Sequence, residues 1–176
     1  CPYVSAYYQQ PRPGRQFITN SAHGALGYSL SASLGARYGR PGAKVVALMG
    51  DGSFGFTCGE LETVCRSRAN ITFIVLANSN FGWIKASQKA DKGARYYNVD
   101  FSRTDHAAIA AAYGVKSWRG EGPDELDVVL RDAISHDGPT LIDIATRPLE
   151  EAAAPVRGWM GWRISAGARG ERGGRW

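Results

Sequence analysis

The 176-residue chain is poor in cysteine, lacks a cationic stripe and has no long apolar run, and each shortage excludes something. Cysteine occurs only at positions 1, 58 and 65, an odd count without C-x-x-C spacing, which supports neither a disulfide framework nor a zinc site. A reducing cytoplasm is the compartment that fits such usage. No stretch approaches the roughly 18 apolar residues of a membrane span, so no membrane partner is expected. The first residue is Cys1, and no charged segment leads into an apolar one, so neither a translation start nor a signal peptide is read. The expectation is a piece cut from a longer polypeptide.

The net charge of +5 is unevenly spread, because residues 151–176 hold five arginines against two glutamates, leaving +3 there and +2 in the rest. A weakly basic body without clustered cations and aromatic base readers excludes a nucleic-acid surface. Two phosphate motifs are also missing. No G-x-x-x-x-G-K-[ST] occurs, and the "GALG" at 24–27 never becomes the G-x-G-x-x-G of a dinucleotide binder.

What is present is 44% hydrophobic residues, enough for an ordinary core, in alternating strand-sized and helix-sized segments. Residues 1–16, with three prolines, read as an irregular lead-in, and "QFITN" (16–20) as a short strand. "GALGYSLSASLGARY" (24–38) has helical spacing with small residues, and "KVVALM" (44–49) reads as a strand covered on both faces. Thr57 and Glu60 match a capping box opening a helix through Arg66, and "ITFIVLA" (71–77) is the next buried strand. Helices are expected over 105–113 and 123–135, and strands at "VKSW" (115–118) and "PTLIDIAT" (139–146). Such alternation implies an α/β fold, a doubly wound, mainly parallel sheet with helices on both faces. The domain is placed at 17–150. Residues 151–176, rich in Gly, Arg and Trp, read as a flexible tail, with a segment folded over the site as the other reading.

In such a sheet, ligands lie at the carboxyl ends of the strands, where Gly50-Asp51-Gly52-Ser53 and Asn78-Ser79-Asn80 stand 27 positions apart. A carboxylate with amide and backbone oxygens is a donor set for Mg²⁺, which shares its octahedron with phosphate oxygens. Gly50 and Gly52 let the backbone come close, and Ser53 has a hydroxyl for a phosphate oxygen. Taken singly, each piece is also a common turn.

Together, over residues 17–146, these features resemble the pyrophosphate-binding domain of thiamine diphosphate (ThDP) enzymes, the acetolactate synthase and pyruvate decarboxylase superfamily. The resemblance implies that the Asp51 and Asn78 side chains and the Asn80 carbonyl hold Mg²⁺, while Gly52, Ser53 and the amides around Phe81 and Gly82 hold the diphosphate. It also implies that Leu26 is the apolar wedge beneath the thiazolium and that the Gly24 carbonyl accepts from the aminopyrimidine. His23, beside the implied cofactor, is either a proton shuttle or phosphate contact, or a structural loop residue. The chain departs from many relatives in having Ala77-Asn78 where they have Asn-Asn.

The implied activity is decarboxylation or carboligation of a 2-keto acid or related acyl donor, in which the thiazolium takes up the electrons released on C–C cleavage. A pyrimidine-binding domain, from the missing part of the chain or a separate subunit, would complete the site in a homo- or hetero-oligomer. A degenerate module serving assembly is the rival, opposed by the intact Asp51 and Asn78. Other residues have plainer readings: Glu60 and Glu62 as caps or solvent-facing acids, His106 and His136 as surface helix residues, and Cys58 and Cys65 as small packing residues. Trp83, Ile84 and Lys85 border the substrate pocket in one reading, although a lysine head ordinarily stays in water.

Overall fold

The computed structural model describes residues 17–20, 23–120 and 122–151. The lead-in over 1–16 and the tail from residue 152 onward lie outside the described residues, as does the start of the expected 16–20 strand. Residues 17–20 form no strand.

Four strands, β1 (Val45–Gly50), β2 (Ile71–Ala77), β3 (Lys116–Gly120) and β4 (Thr140–Ala145), make one parallel sheet in the order β1-β2-β4-β3. Between them run α1 (Tyr28–Gly39, before β1), α2 (Asp51–Thr57), α3 (Leu61–Arg66), α4 (Gly82–Asp91), α5 (His106–Ala112) and α6 (Pro123–Ser135). Because side chains alternate along a strand, the two faces of the sheet hold different sets. Ala47, Met49, Ile71, Phe73, Val75 and Leu141 pack against Leu30 and Leu34 of α1, Phe54 of α2, Leu61 and Val64 of α3, and Ala110 of α5. Each fully buried Leu or Phe in this layer contributes about 1.5–3 kcal/mol.

The opposite face carries Thr72, Thr140 and Ile142, all fully buried. There α6 docks through a polar contact: the Thr72 hydroxyl donates to the Ala133 carbonyl at 3.1 Å, and the Thr140 hydroxyl shares its proton between that carbonyl (3.1 Å) and Thr72 Oγ1 (3.0 Å). That gives the parallel α/β architecture with helices on both faces, although β1 at the edge leaves Val46 48% exposed.

One expectation about the helices fails, and one helix was not anticipated. Helical structure after β1 begins at Asp51 rather than Thr57, and a 3₁₀ turn (Cys58–Glu60) joins α2 to α3. Thr57 caps nothing, because its hydroxyl reaches back to the Gly27 carbonyl at 3.1 Å, and the Glu60 carboxylate accepts from Thr63 instead. The unanticipated helix is α4, which has no buried residue and so leaves no apolar stripe in the sequence. By contrast, α5 starts where its cap predicts, with the Asp105 carboxylate accepting from the Ala108 N–H at 2.8 Å.

Candidate cofactor site

All four strands point their carboxyl ends to one edge, and there Gly50 closes β1 and Asp51 opens α2. Asp51 is 5% exposed. One of its carboxylate oxygens, Oδ2, accepts from the backbone N–H groups of Asn78 (2.9 Å) and Ser79 (2.6 Å), and Oδ1 accepts from Gly52 (2.8 Å). The carboxylate thus ties the end of β1 to the loop after β2. Ser79 is held at φ 56°, a left-handed conformation that a non-glycine residue keeps only when its surroundings over-determine it.

The loop folds its amides inward. Asn78 Oδ1 accepts from the Asn80 N–H at 3.2 Å, and Asn80 Oδ1 is buried without any hydrogen-bond partner. Gly82 makes room for both side chains, since a Cβ there would stand 3.1 Å from Asn78 Nδ2 and 3.2 Å from Asn80 Oδ1. Gly52 plays the same part toward Phe81, whose ring lies 2.8 Å from where a Cβ would be and edge-on to Phe101 at 5.1 Å. An antiparallel bridge from Asn80 to Asp100 backs the loop, closed by Phe81 N–H to the Val99 carbonyl (2.8 Å) and Phe101 N–H to the Ser79 carbonyl (3.0 Å).

Oxygen donors from one carboxylate and two amides fit Mg²⁺, and an orphaned buried acceptor such as Asn80 Oδ1 calls for a partner. Among the described residues no group of three His, Cys, Asp or Glu forms a metal cluster, so a mixed carboxylate and amide set is the available one. Two expected phosphate donors are spent: the Phe81 N–H on Val99 and the Gly52 N–H on Asp51. Gly82 begins α4, whose first-turn N–H groups lack intrahelical partners, and Ser53 accepts from the Gly27 N–H (2.9 Å) while its own proton stays free to donate.

Ser53 and Thr57 together stitch the 24–27 turn to α2, with Gly24 at φ 59° and Gly27 at φ 84°. Leu26 precedes α1 and is 48% exposed, so it is not a helix packing residue. His23 is exposed in the same stretch.

Several residues stand otherwise than the sequence suggests. His106 is buried, not on a surface, with its N–H and its Nδ1 each 3.1 Å from Asp143 Oδ2 and its ring edge-on to Phe54. The sequence gives no sign of the pairing, since Asp143 lies 37 positions away. Asp143 Oδ1 has no hydrogen-bond partner, and Asp143 and Ser79 both line a pocket of about 30 Å³. Lys85 is not solvated, as it pairs with Asp100 and Glu150. Trp83 and Ile84 remain exposed, as do Glu60 and Glu62, whereas His136 is half-buried at the end of α6. Cys58 and Cys65 are free thiols packed against the core, and burial pushes the Cys65 thiol up, away from nucleophilic use.

A parallel sheet bearing a buried carboxylate, a paired-asparagine loop and a helix start at its carboxyl edge defines a diphosphate-binding domain of the ThDP type. The chain belongs to the family described as thiamine pyrophosphate enzyme, C-terminal TPP binding domain, whose model matches residues 1–144. It is similar to an acetolactate synthase of Bacillus subtilis, 37% identical over 142 residues that cover 81% of this chain and 25% of the relative. It is also similar to a probable acetolactate synthase large subunit of Methanococcus aeolicus (31% identical; 81% and 24% covered) and a benzoylformate decarboxylase of Pseudomonas aeruginosa (30%; 84% and 28%). The chain spans about a quarter of the length of these curated relatives. The cofactor of the family is thiamine diphosphate. No helix among the described residues is long and apolar enough to cross a membrane.

Proposed function

We propose that this chain is the Mg²⁺- and diphosphate-binding part of a ThDP-dependent decarboxylase or carboligase acting on a 2-keto acid or related acyl donor. The observation that carries the reading is the Asp51 carboxylate locked onto the Asn78–Ser79 amides, with the buried Asn80 Oδ1 lacking a partner beside it. In this reading Asp51, Asn78 and Asn80 supply oxygens to Mg²⁺, with the Asn80 side chain available as well as its carbonyl. Gly50 lets the chain turn directly from strand to helix, and the Ser53 hydroxyl and the first-turn amides at Gly82 donate to phosphate oxygens. When bound, the cofactor supplies an electron sink for C–C bond cleavage or formation.

The turn before α1 has the complementary task. Leu26, exposed and fixed by the stitching of Gly27 to α2, offers an apolar surface under the thiazolium, and the Gly24 carbonyl is an acceptor for the aminopyrimidine. His23 stands near enough in sequence to exchange a proton or touch phosphate. Trp83 and Ile84 form the apolar wall facing substrate. The pyrimidine half of the site belongs to a further domain, in an oligomer of the same or different chains.

Titration with ThDP and Mg²⁺, followed by tryptophan fluorescence and reversed with EDTA, tests the reading. Saturable, Mg²⁺-dependent binding that disappears in Asp51→Ala and Asn78→Ala is expected. Absence of binding, even with a pyrimidine domain supplied, would sink it and leave a module for assembly.

A further inference from the structure

Helix α4 begins two residues after Asn80, yet it buries none of its side chains. At ten residues it is too short to be stable by propensity alone, and helices of this length ordinarily owe their place to an apolar face. Its place in this fold is held by polar ties instead: Gln88 exchanges two hydrogen bonds with the Tyr97 backbone, Lys89 reaches Glu150, and Lys85 alone carries two ion pairs. Lys85 Nζ lies 2.6 Å from Asp100 Oδ1 and 2.8 Å from Glu150 Oε1, with the lysine side chain 15% and the Glu150 side chain 7% exposed. Asp100 is the residue bridged to Asn80. The lysine therefore reaches from the first turns of α4 back to the segment that supports the loop from which α4 grows.

The second tie runs to the 3₁₀ turn after β4 (Leu149–Glu151). Lys89 Nζ donates to the Glu150 carbonyl at 2.5 Å, and a Cβ on Gly82 would stand 3.4 Å from Leu149 Cβ. Glu150 Oε2 is buried with no hydrogen-bond partner, so Lys85 is the cation that offsets this carboxylate. Removing one partner of a buried ion pair leaves the other charge uncompensated, and Glu150 would have to leave for water, taking the turn off α4. The Tyr96 ring, 5.2 Å from Nζ, completes the enclosure.

We propose that Lys85 is a positioning residue for the metal loop: by bridging Asp100 and Glu150 it fixes α4, and through α4 the oxygens of Asn78 and Asn80. The identity of the ligand rests on the reading of the preceding subsection, but the clamp itself does not. Hydrogen bonds to Asp100 and Glu150 also push the ammonium above the ordinary lysine range.

Hydrogen exchange on the unliganded chain, with Mg²⁺–ThDP titrations alongside, tests the clamp in wild type, Lys85→Met and Lys85→Arg. In Lys85→Met, amides of residues 79–91 are expected to exchange about tenfold faster while those of β2 stay protected. Cofactor affinity is expected to fall about tenfold, the effect of losing a residue that orients metal ligands. Lys85→Arg, whose fork can span both acids, is expected to restore both readouts. Unchanged exchange at 79–91 in Lys85→Met, or no restoration by arginine, overturns the proposal. Should Lys85→Met fail to fold, Glu150→Gln takes its place, and wild-type exchange at 79–91 in that variant counts equally against the clamp. If the wild type binds no cofactor, the functional reading fails while the exchange data still decide the clamp.

Discussion

In the proposed reading Asp51 serves two purposes, which a pair of variants can separate. Its carboxylate accepts three backbone N–H groups, so Asp51→Ala strands these donors as well as removing a proposed metal ligand. A loss of about 2–4 kcal/mol in urea denaturation without cofactor is expected. Asn78→Ala gives up one 3.2 Å bond to the Asn80 N–H, and its cost should stay below about 1 kcal/mol while Mg²⁺ binding is lost equally. Equal destabilisation by the two would mean that Asp51 does not organise the loop. Residues of this kind were legible because the Gly-Asp-Gly-Ser and Asn-Ser-Asn stretches end apolar strands, and strand ends place ligands. Lys85 and His106 were not, because a lysine or histidine is read as solvated until its partner is known. Those partners, Asp100 with Glu150 and Asp143, come together only in the fold.

At the scale of elements, the second residue of α2 is a glycine against which another element leans. Gly52 has no left-handed conformation to excuse it, only the Phe81 ring 2.8 Å from a would-be Cβ. Gly52→Ala is expected to push that ring off Phe101 and destabilise the chain by about 1–3 kcal/mol, with a changed aromatic circular dichroism signal as the check. A neutral effect would mean that the ring moves freely. The strands and α6 were readable from apolar runs and from proline and acids at a helix start, because burial and capping leave marks in composition. Helix α4 left none, since lysines and glutamine do the holding. The Thr57–Glu60 spacing misled for a related reason: Thr57 already stands at the end of α2, and its hydroxyl is used by Gly27 rather than by its own backbone.

Across the whole molecule, the α/β class followed from alternation, but the order β1-β2-β4-β3 did not, because strand length and pattern say nothing about which neighbour a strand chooses. The central pair is β2 with β4, and Thr72 and Thr140, bonded through their hydroxyls at 3.0 Å, are 68 positions apart. A chain ended before Thr140 would lose the strand that joins β3 to the rest. Such a truncation is expected to show no cooperative thermal transition, and a sharp one would mean that β1 and β2 with their helices fold alone.

The same long-range pairing sets an order of events during synthesis. A ribosome delivers the Asp51 and Asn78 segments early, but β2 must wait with one edge bare until β4 emerges, and the 149–151 turn that receives Lys85 emerges later still. The proposed metal loop is thus made before the elements that fix it, and the nascent chain presents an open hydrophobic edge until then.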